Sequence, residues 1–459
     1  MGYSSRKGVW GWMFYDWAGQ PFQMLMTVIV FPPLFASAMA ADPADGQALW
    51  GMVLGTAGLL VAILSPTLGA VVDSVGPRKP WIFAFSVLLV VSSFLLTFVA
   101  TGPSNFWITS LLVILAIIGF EITTVFTNAM MPTLVPRSRL GRLSGNGWAM
   151  GNVAGVLSLI LMLGLLIPSS ETGLTLFGIE PLFGFQAGTG DAERATGALS
   201  ALWYLVFIIP LFMFTPDVAR RGRVQGAVSA GLGSLFKTIR TLPSRNRNLF
   251  VFIVSSMLFR DAILALIGIV GILLAGVLGW STAKIGVFGL IFSVSGALGG
   301  WLGGRCDDWF GPLRVVRFSL GGLVILTLTM PGLSPDTIFY VSIAHLDNPA
   351  AIVDPAAMVY GFFAGIFGGS LQASSRTVVV DFSRGERLTE AFGIYSFAGR
   401  ATSFVGPYLV GIATILSGSQ AMGLLPVGLL FMAGYVALTF IDREEAAETA
   451  TFLGSPSRS

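Results

Sequence analysis

Cysteine and histidine are nearly absent from this chain of 459 residues, which has only Cys306 and His345, and just 11% of its residues are charged. One cysteine cannot build a disulfide framework, and one cysteine with one histidine cannot furnish a Cys/His zinc site or a histidine-based triad. No GxSxG, HExxH or P-loop string occurs either. The expectation is a protein that is not an enzyme and uses no metal or cofactor. The scarcity of charge excludes an ordinary soluble domain, in which about 25% of residues are charged.

Apolar length takes the place of charge. Hydrophobic residues make up 54% of the chain and 57 residues are glycine, with a mean hydropathy of +0.82. Runs long enough to cross the roughly 30 Å hydrocarbon core as helices recur from end to end. They predict twelve spans, near 13–37, 50–71, 81–101, 106–128, 145–167, 198–215, 249–276, 283–304, 318–332, 355–377, 391–416 and 423–441. The net charge of +3 fits membrane orientation better than nucleic-acid binding, because cytoplasmic loops collect Lys and Arg. Alternate loops carry Arg78 and Lys79; Arg137, Arg139 and Arg142; Arg305, Arg314 and Arg317; then Arg384 and Arg387. The intervening loops offer little beyond Arg194 and Lys284, so both termini are expected in the cytoplasm. The first run follows Arg6 and Lys7 but carries Asp16 and no small-residue cleavage site, so it is expected to remain in place.

The chain divides and repeats. Residues 217–247 carry seven arginines and lysines, from Arg220 to Arg247, against the single acid Asp217. Leu232, Leu235, Phe236 and Ile239 recur there at helical spacing, with Lys237 and Arg240 off the stripe, as in a helix lying in the interface; a solvated basic linker is the alternative for the first part. The expected organisation is a first bundle over 1–216, this linker, a second bundle over 248–441 and a tail over 442–459. GAVVDSVGPRKP at Gly69–Pro80 returns as GRCDDWFGPLR at Gly304–Arg314, 235 residues later (69 to 304). Gly69, Asp73, Gly76, Pro77 and Lys79 match Gly304, Asp308, Gly311, Pro312 and Arg314. GNGWAMGN at Gly145 matches GIYSFAGR at Gly393, 248 residues on (145 to 393), and Asp16 pairs more weakly with Asp261. Two related bundles with a site between them are the architecture of secondary transporters.

Charge within a span costs a few kcal/mol on insertion scales, so each case needs a reason. Asp16, Gln20, Gln23 and Thr27 fall on one helical face of the first span, which Pro21 and Pro32-Pro33 should bend. Glu121, Thr124 and Asn128 share a face of the fourth, making Glu121 a candidate proton or cation site, with a structural ion pair as the rival. Arg260 and Asp261 of the seventh diverge by about 100° and each needs a partner from elsewhere. In the tenth, Gln372, Ser375 and Arg376 cluster near the inner end, where Arg376 is expected to snorkel to water. In the eleventh, Ser396, Arg400 and Ser403 form a stripe, and Arg400 suits an anion site unless it pairs with Glu121 or Asp261. GALGGWLGG at Gly296 reads as helix packing rather than a cofactor loop, Asp307-Asp308 as an exposed loop pair, and Trp10, Trp12 and Trp309 as interfacial anchors.

With a charged corner after spans 2 and 8, the chain resembles the major facilitator superfamily throughout. That family's corner signature is Gly-x3-Asp-Arg-x-Gly-Arg-Arg/Lys; Gly69, Asp73, Gly76, Arg78 and Lys79 fit it, whereas Ser74 and Pro77 depart. YDWAGQPF at Tyr15, FPPLF at Phe31, NAMMPTLVP at Asn128, GRLSGNGWAMGNVAG at Gly141 and FGIYSFAGRATSFVGP at Phe392 resemble the branch of autophagy-related vacuolar amino-acid effluxers and their bacterial relatives. The resemblance implies an all-α fold of twelve helices in two pseudo-symmetric six-helix bundles. It implies a cavity lined by spans 1, 4, 7 and 10, and a corner that latches the inner face. It also implies movement of a small solute, with amino-acid efflux and proton coupling as the finer expectations. By analogy it places a monomeric protein in the lipid bilayer of a bacterial inner membrane.

The expected solute or ion site is Asp16, Gln20, Gln23, Glu121, Asn128, Arg260, Asp261 and Arg400, and the expected cytoplasmic gate is Gly69, Asp73, Gly76, Arg78, Lys79, Asp308 and Arg314. A sensor or scaffold on the same frame is the alternative, and it predicts binding without turnover.

Overall fold

Apolar runs can satisfy their own backbone in hydrocarbon only as helices or closed barrels. The computed structural model describes residues 4–38, 43–169, 172–219, 240–280, 282–383 and 388–442, and helices dominate it. Ten helices among the described residues are long and apolar enough to cross a bilayer, corresponding to predicted spans 2 to 10 and 12.

The remaining two spans are interrupted helices. Span 1 runs as Arg6–Pro21, widens into a π-helical stretch at Phe22–Ile29 and resumes as Phe31–Ala38. Proline lacks the N–H that would close the preceding turn, and the wider π turn absorbs the mismatch. The α-helical spacing that aligned Asp16 and Gln20 therefore does not extend to Gln23 and Thr27. Span 11 is split into Leu388–Ala401 and Val405–Ser417. Pro407 cannot donate to the carbonyl of Ser403, so the helix breaks there and Ser403 leaves the stripe expected with Ser396 and Arg400.

Span 4 covers Phe106–Leu134, longer than its sequence pattern suggested, because Pro132 sits within its last turn without ending it. Glu121 consequently lies thirteen residues from that end (121 to 134) and deeper than expected. Span 4 is also the most enclosed of these ten helices.

The two halves repeat their packing. Spans 1 and 5, 2 and 4, 3 and 4, and 3 and 6 pair in the first half; spans 7 and 11, 8 and 10, 9 and 10, and 9 and 12 pair in the second. The halves meet chiefly through span 2 on span 11 and span 5 on span 8. Phe83 and Val91, Leu202 and Met213, Phe318 and Ile325, and Leu429 and Val436 project outward from spans 3, 6, 9 and 12. Such side chains are at home against lipid, where apolar exposure carries no penalty.

Gly76 at φ +107° and Gly311 at φ +87° end spans 2 and 8. Both occupy backbone conformations that side chains with a Cβ rarely adopt, which is why each corner carries glycine there. The amphipathic stripe from Leu232 to Ile239, Arg220, Arg221, Arg223 and Lys237, the loop residues Arg384 and Arg387, and the tail from 443 onward lie outside the described residues.

Candidate functional site

At the end carrying the two corners, each half caps a helix of the other. The Asp73 carboxylate, at the end of span 2, accepts from the Thr389 hydroxyl and from the backbone N–H of Glu390 at 3.0 Å. These residues form the first turn of span 11, whose unsatisfied N–H groups favour an anion. The Asp308 carboxylate, at the end of span 8, accepts from the backbone N–H of Gly141 at 3.1 Å in the first turn of span 5. Arg142 adds an ion pair to Asp308 at 2.7 Å. The same corner motif, present once in each half, thus supplies both caps.

Arg78 supports the first cap, with Nη2 3.3 Å from Asp73 and Nε donating to Thr389 at 3.2 Å. Lys79 does not reach the seam. Its Nζ donates to the Phe212 carbonyl at 2.9 Å, while Asp217 accepts the backbone N–H groups of Arg78 and Lys79 and so caps span 3 within the first half. Arg314 is exposed.

Glycine brings the backbones together. A Cβ at Gly69 would lie 2.7 Å from the Thr389 carbonyl oxygen, one at Gly145 2.3 Å from that of Gly300, and one at Gly304 2.3 Å from that of Gly141. GALGGWLGG thus packs helices as expected, offering Gly299 and Gly303 to span 10 and Gly300 and Gly304 to span 5. The Asp307-Asp308 pair is not an exposed loop. It lies within the helix Thr282–Phe310, where Asp307 is 4% exposed and the Asp308 side chain 2%.

Deeper in the seam, Arg376 of span 10 crosses into the first half. Its Nη1 lies 3.0 Å from Asp16 Oδ2 and 3.4 Å from Asn128 Oδ1, and its Nη2 donates to the Ser144 carbonyl at 3.3 Å. Buried at 7% exposure, Arg376 does not snorkel, because a carboxylate and two oxygen acceptors replace the water it would seek. Arg137 and Asp381 make a further cross-half pair at 2.7 Å. Asp16 is held from behind by Gly147 and Gly151 of span 5, where a Cβ would lie 2.6 Å from its Oδ2 and 3.1 Å from its carbonyl oxygen.

Span 1 is fixed to span 4 by Trp12, whose Nε1 donates to the Thr127 carbonyl at 2.7 Å, and by the Tyr15 hydroxyl beside Thr123 and Thr124. Trp12 is therefore buried rather than interfacial, while Trp10 and Trp309 are exposed.

Arg260 and Asp261 turn towards span 11. Arg260 Nη1 donates to the Tyr395 carbonyl at 2.9 Å, and the guanidinium lies 4.6 Å from the centre of that ring. Asp261 is buried, and its backbone carbonyl abuts Gly406 where span 11 restarts. The first helix of each half thus presses an acid-bearing turn against glycines of its fifth helix. Gln20 and Glu121 are half-buried and Gln23 is exposed. Arg400 lies on the helix Leu388–Ala401, but its side chain lies outside the described residues.

The residues missed by sequence reasoning are Arg376, Arg137 and Asp381. The available signal was Asp16, a carboxylate in an apolar span requiring a cationic partner.

Comparison with known proteins agrees with this geometry. The family model described as vacuole effluxer Atg22 like matches residues 47–140 and 136–451. An uncharacterized MFS-type transporter of Bacillus subtilis (strain 168), YxiO, is 23% identical over 96% of each chain. Autophagy-related protein 22-2 of Emericella nidulans is 22% identical over 67% of this chain and 52% of its own length. Among solved structures, the proton:xylose symporter XylE bound to 6-bromo-6-deoxy-D-glucose matches with a TM-score of 0.66 at 14% identity, covering 97% of this chain and 98% of that one. The human organic anion transporter MFSD10 gives 0.64 at 16% identity, covering 94% and 99%. Identities this low in solved structures speak to the fold alone.

Proposed function

The chain belongs to the Atg22-like effluxer family of major facilitator transporters, integral membrane proteins rather than enzymes, and from that premise we propose that it carries a small solute by alternating access. One observation supports this above others. The ties from Asp73 to Glu390, Asp308 to Gly141, Arg137 to Asp381 and Asp16 to Arg376 join the halves from the corner end inwards. By contrast Gly51 and Gly55, towards the other end of span 2, face open space. The gathering of these ties at one end supports a reading as a transporter closed at its corner end.

In this reading the basic loops place the corner end in the cytoplasm, with both termini there, and the state is outward-facing. Gln23, Glu121, Arg260, Asp261 and Arg400 above the closed seam are the solute and ion candidates. An amino acid offers the carboxylate that Arg260 or Arg400 can grip, and a bacterial inner membrane, a monomer, efflux and proton coupling complete the proposal.

Purified protein in liposomes preloaded with unlabelled amino acids should exchange labelled amino acid, and Arg400→Ala and Glu121→Gln should each impair that exchange while folding is intact. Unchanged flux in both variants overturns the site. Exchange of a sugar or nucleoside but no amino acid overturns the substrate class, and binding without turnover of any solute overturns transport itself. A thermal-shift screen identifies ligands first, since binding to the folded state raises its stability by linkage.

A further inference from the structure

Three carboxylates of the second half gather at the seam: Asp307 and Asp308 on span 8 and Asp381 on span 10. The first half answers with two guanidinium groups. Arg142 lies 2.7 Å from Asp308, and Arg137 lies 2.7 Å from Asp381. Among the described residues Asp307 is left without a cation. It is 4% exposed, and the groups that face its oxygens are neutral hydroxyls rather than cations. These are the Ser374 and Thr377 hydroxyls of span 10, both buried and both turned to Asp307. Ser374, Thr377 and Asp381 share one helical face. Span 5 closes over the group so tightly that a Cβ at Gly141 would lie 2.3 Å from the Asp307 Cβ.

A charged carboxylate withdrawn from water without a cation is strongly disfavoured. A proton on one of its oxygens removes that charge, occupies almost no space, and supplies an O–H that either waiting hydroxyl can accept. We infer that Asp307 is a proton-binding residue of the closed seam. As spans 5 and 8 come together, the carboxylate takes one proton from water on the corner side; as they part, the proton returns to that water. Because the proton enters and leaves on one side, this is a pH-dependent lock on the gate, separate from any coupling that crosses the membrane. The charged and titratable groups around it are Asp308 and the neighbouring Cys306 on its own helix, Arg142 on span 5, Arg137 in the preceding turn and Asp381 on span 10. Of these, Asp308 and Asp381 already have their cations.

Protonation that belongs to the closed state must favour that state as pH falls. The inference rests on reading the seam as a gate, and its test separates the two. In the full chain with Cys306→Ser, spin labels at Ser138→Cys and Ser244→Cys occupy exposed positions, one in the first half and one at the end of the linker leading into span 7 of the second. Their distance distribution in lipid nanodiscs should shift from short to long between acidic and mildly alkaline pH. Asp307→Asn, which keeps the shape without the charge, should hold the short distance at both. If that variant does not fold, Thr377→Val should displace the midpoint of the wild-type transition. An Asp307→Asn protein that retains the full pH response, a Thr377→Val midpoint that stays fixed, or closure of the wild type by sodium at constant alkaline pH would overturn the assignment. A seam that opens and closes with solute but ignores pH overturns the Asp307 lock alone. One that never moves overturns the gate reading as well.

Discussion

The Asp16 carboxylate and the Arg376 guanidinium meet at 3.0 Å across the two halves, 360 residues apart in the chain. Neither side chain is explicable within its own bundle. Each is a charge placed in an apolar helix, and together they are a bond that must break whenever the halves separate at the corner end.

Removing one member of this pair strands the other. Arg376→Ala should destabilise the closed protein by about 3–5 kcal/mol, as for other buried pairs deprived of one partner. Asp16→Asn combined with Arg376→Gln should recover part of that loss, because no charge is then left unpaired. Thermal unfolding in a fixed detergent measures the cycle; equal losses in the single and double variants would contradict it.

Neutralising a corner cap weakens the closed state specifically. Asp73→Asn and Asp308→Asn each remove an anion from a foreign helix N-terminus, worth about 1 kcal/mol, or roughly fivefold in the ratio of open to closed forms. Labelling of a cysteine at a seam position that is buried when closed should accelerate accordingly in both variants. A response in only one would show that the two caps are not equivalent.

Asp217 separates stability from gating. It caps span 3 within the first half, so Asp217→Ala should lower stability by about 1 kcal/mol and leave seam accessibility unchanged. Lys79→Ala should likewise spare the gate, since Lys79 binds the Phe212 carbonyl rather than the second half. A shift in seam labelling with Lys79→Ala would restore Lys79 to the latch.

Spans 5 and 8 meet backbone to backbone in the structure, a contact that the proposed opening of the seam would break. Gly145→Ala and Gly304→Ala insert a methyl where the opposing carbonyl lies 2.3 Å away. Overpacking of this kind costs about 1–3 kcal/mol, charged to the closed state alone, so both variants should populate the corner-open form. Gly289→Ala, with open space around it, serves as the control. Cross-linking between the halves at the corner end reports the difference.

What the sequence determined by itself was the part governed by solvent and by local pattern. Apolar length specified a polytopic helical protein, the recurrence of Gly69–Pro80 at Gly304–Arg314 specified two related halves, and proline marked the bend in span 1. These follow from the hydrocarbon core and from backbone geometry, which act on neighbouring residues. The tertiary structure decided which charges meet. Arg376 near a helix end reads as a snorkelling side chain until span 1 brings Asp16 to it, and Asp307-Asp308 reads as an exposed pair until span 5 covers it. Trp12 reads as an interfacial anchor until span 4 offers the Thr127 carbonyl. Within an apolar helix the energy of a charged or polar group depends on a partner hundreds of residues away, and no local periodicity encodes that partner's identity.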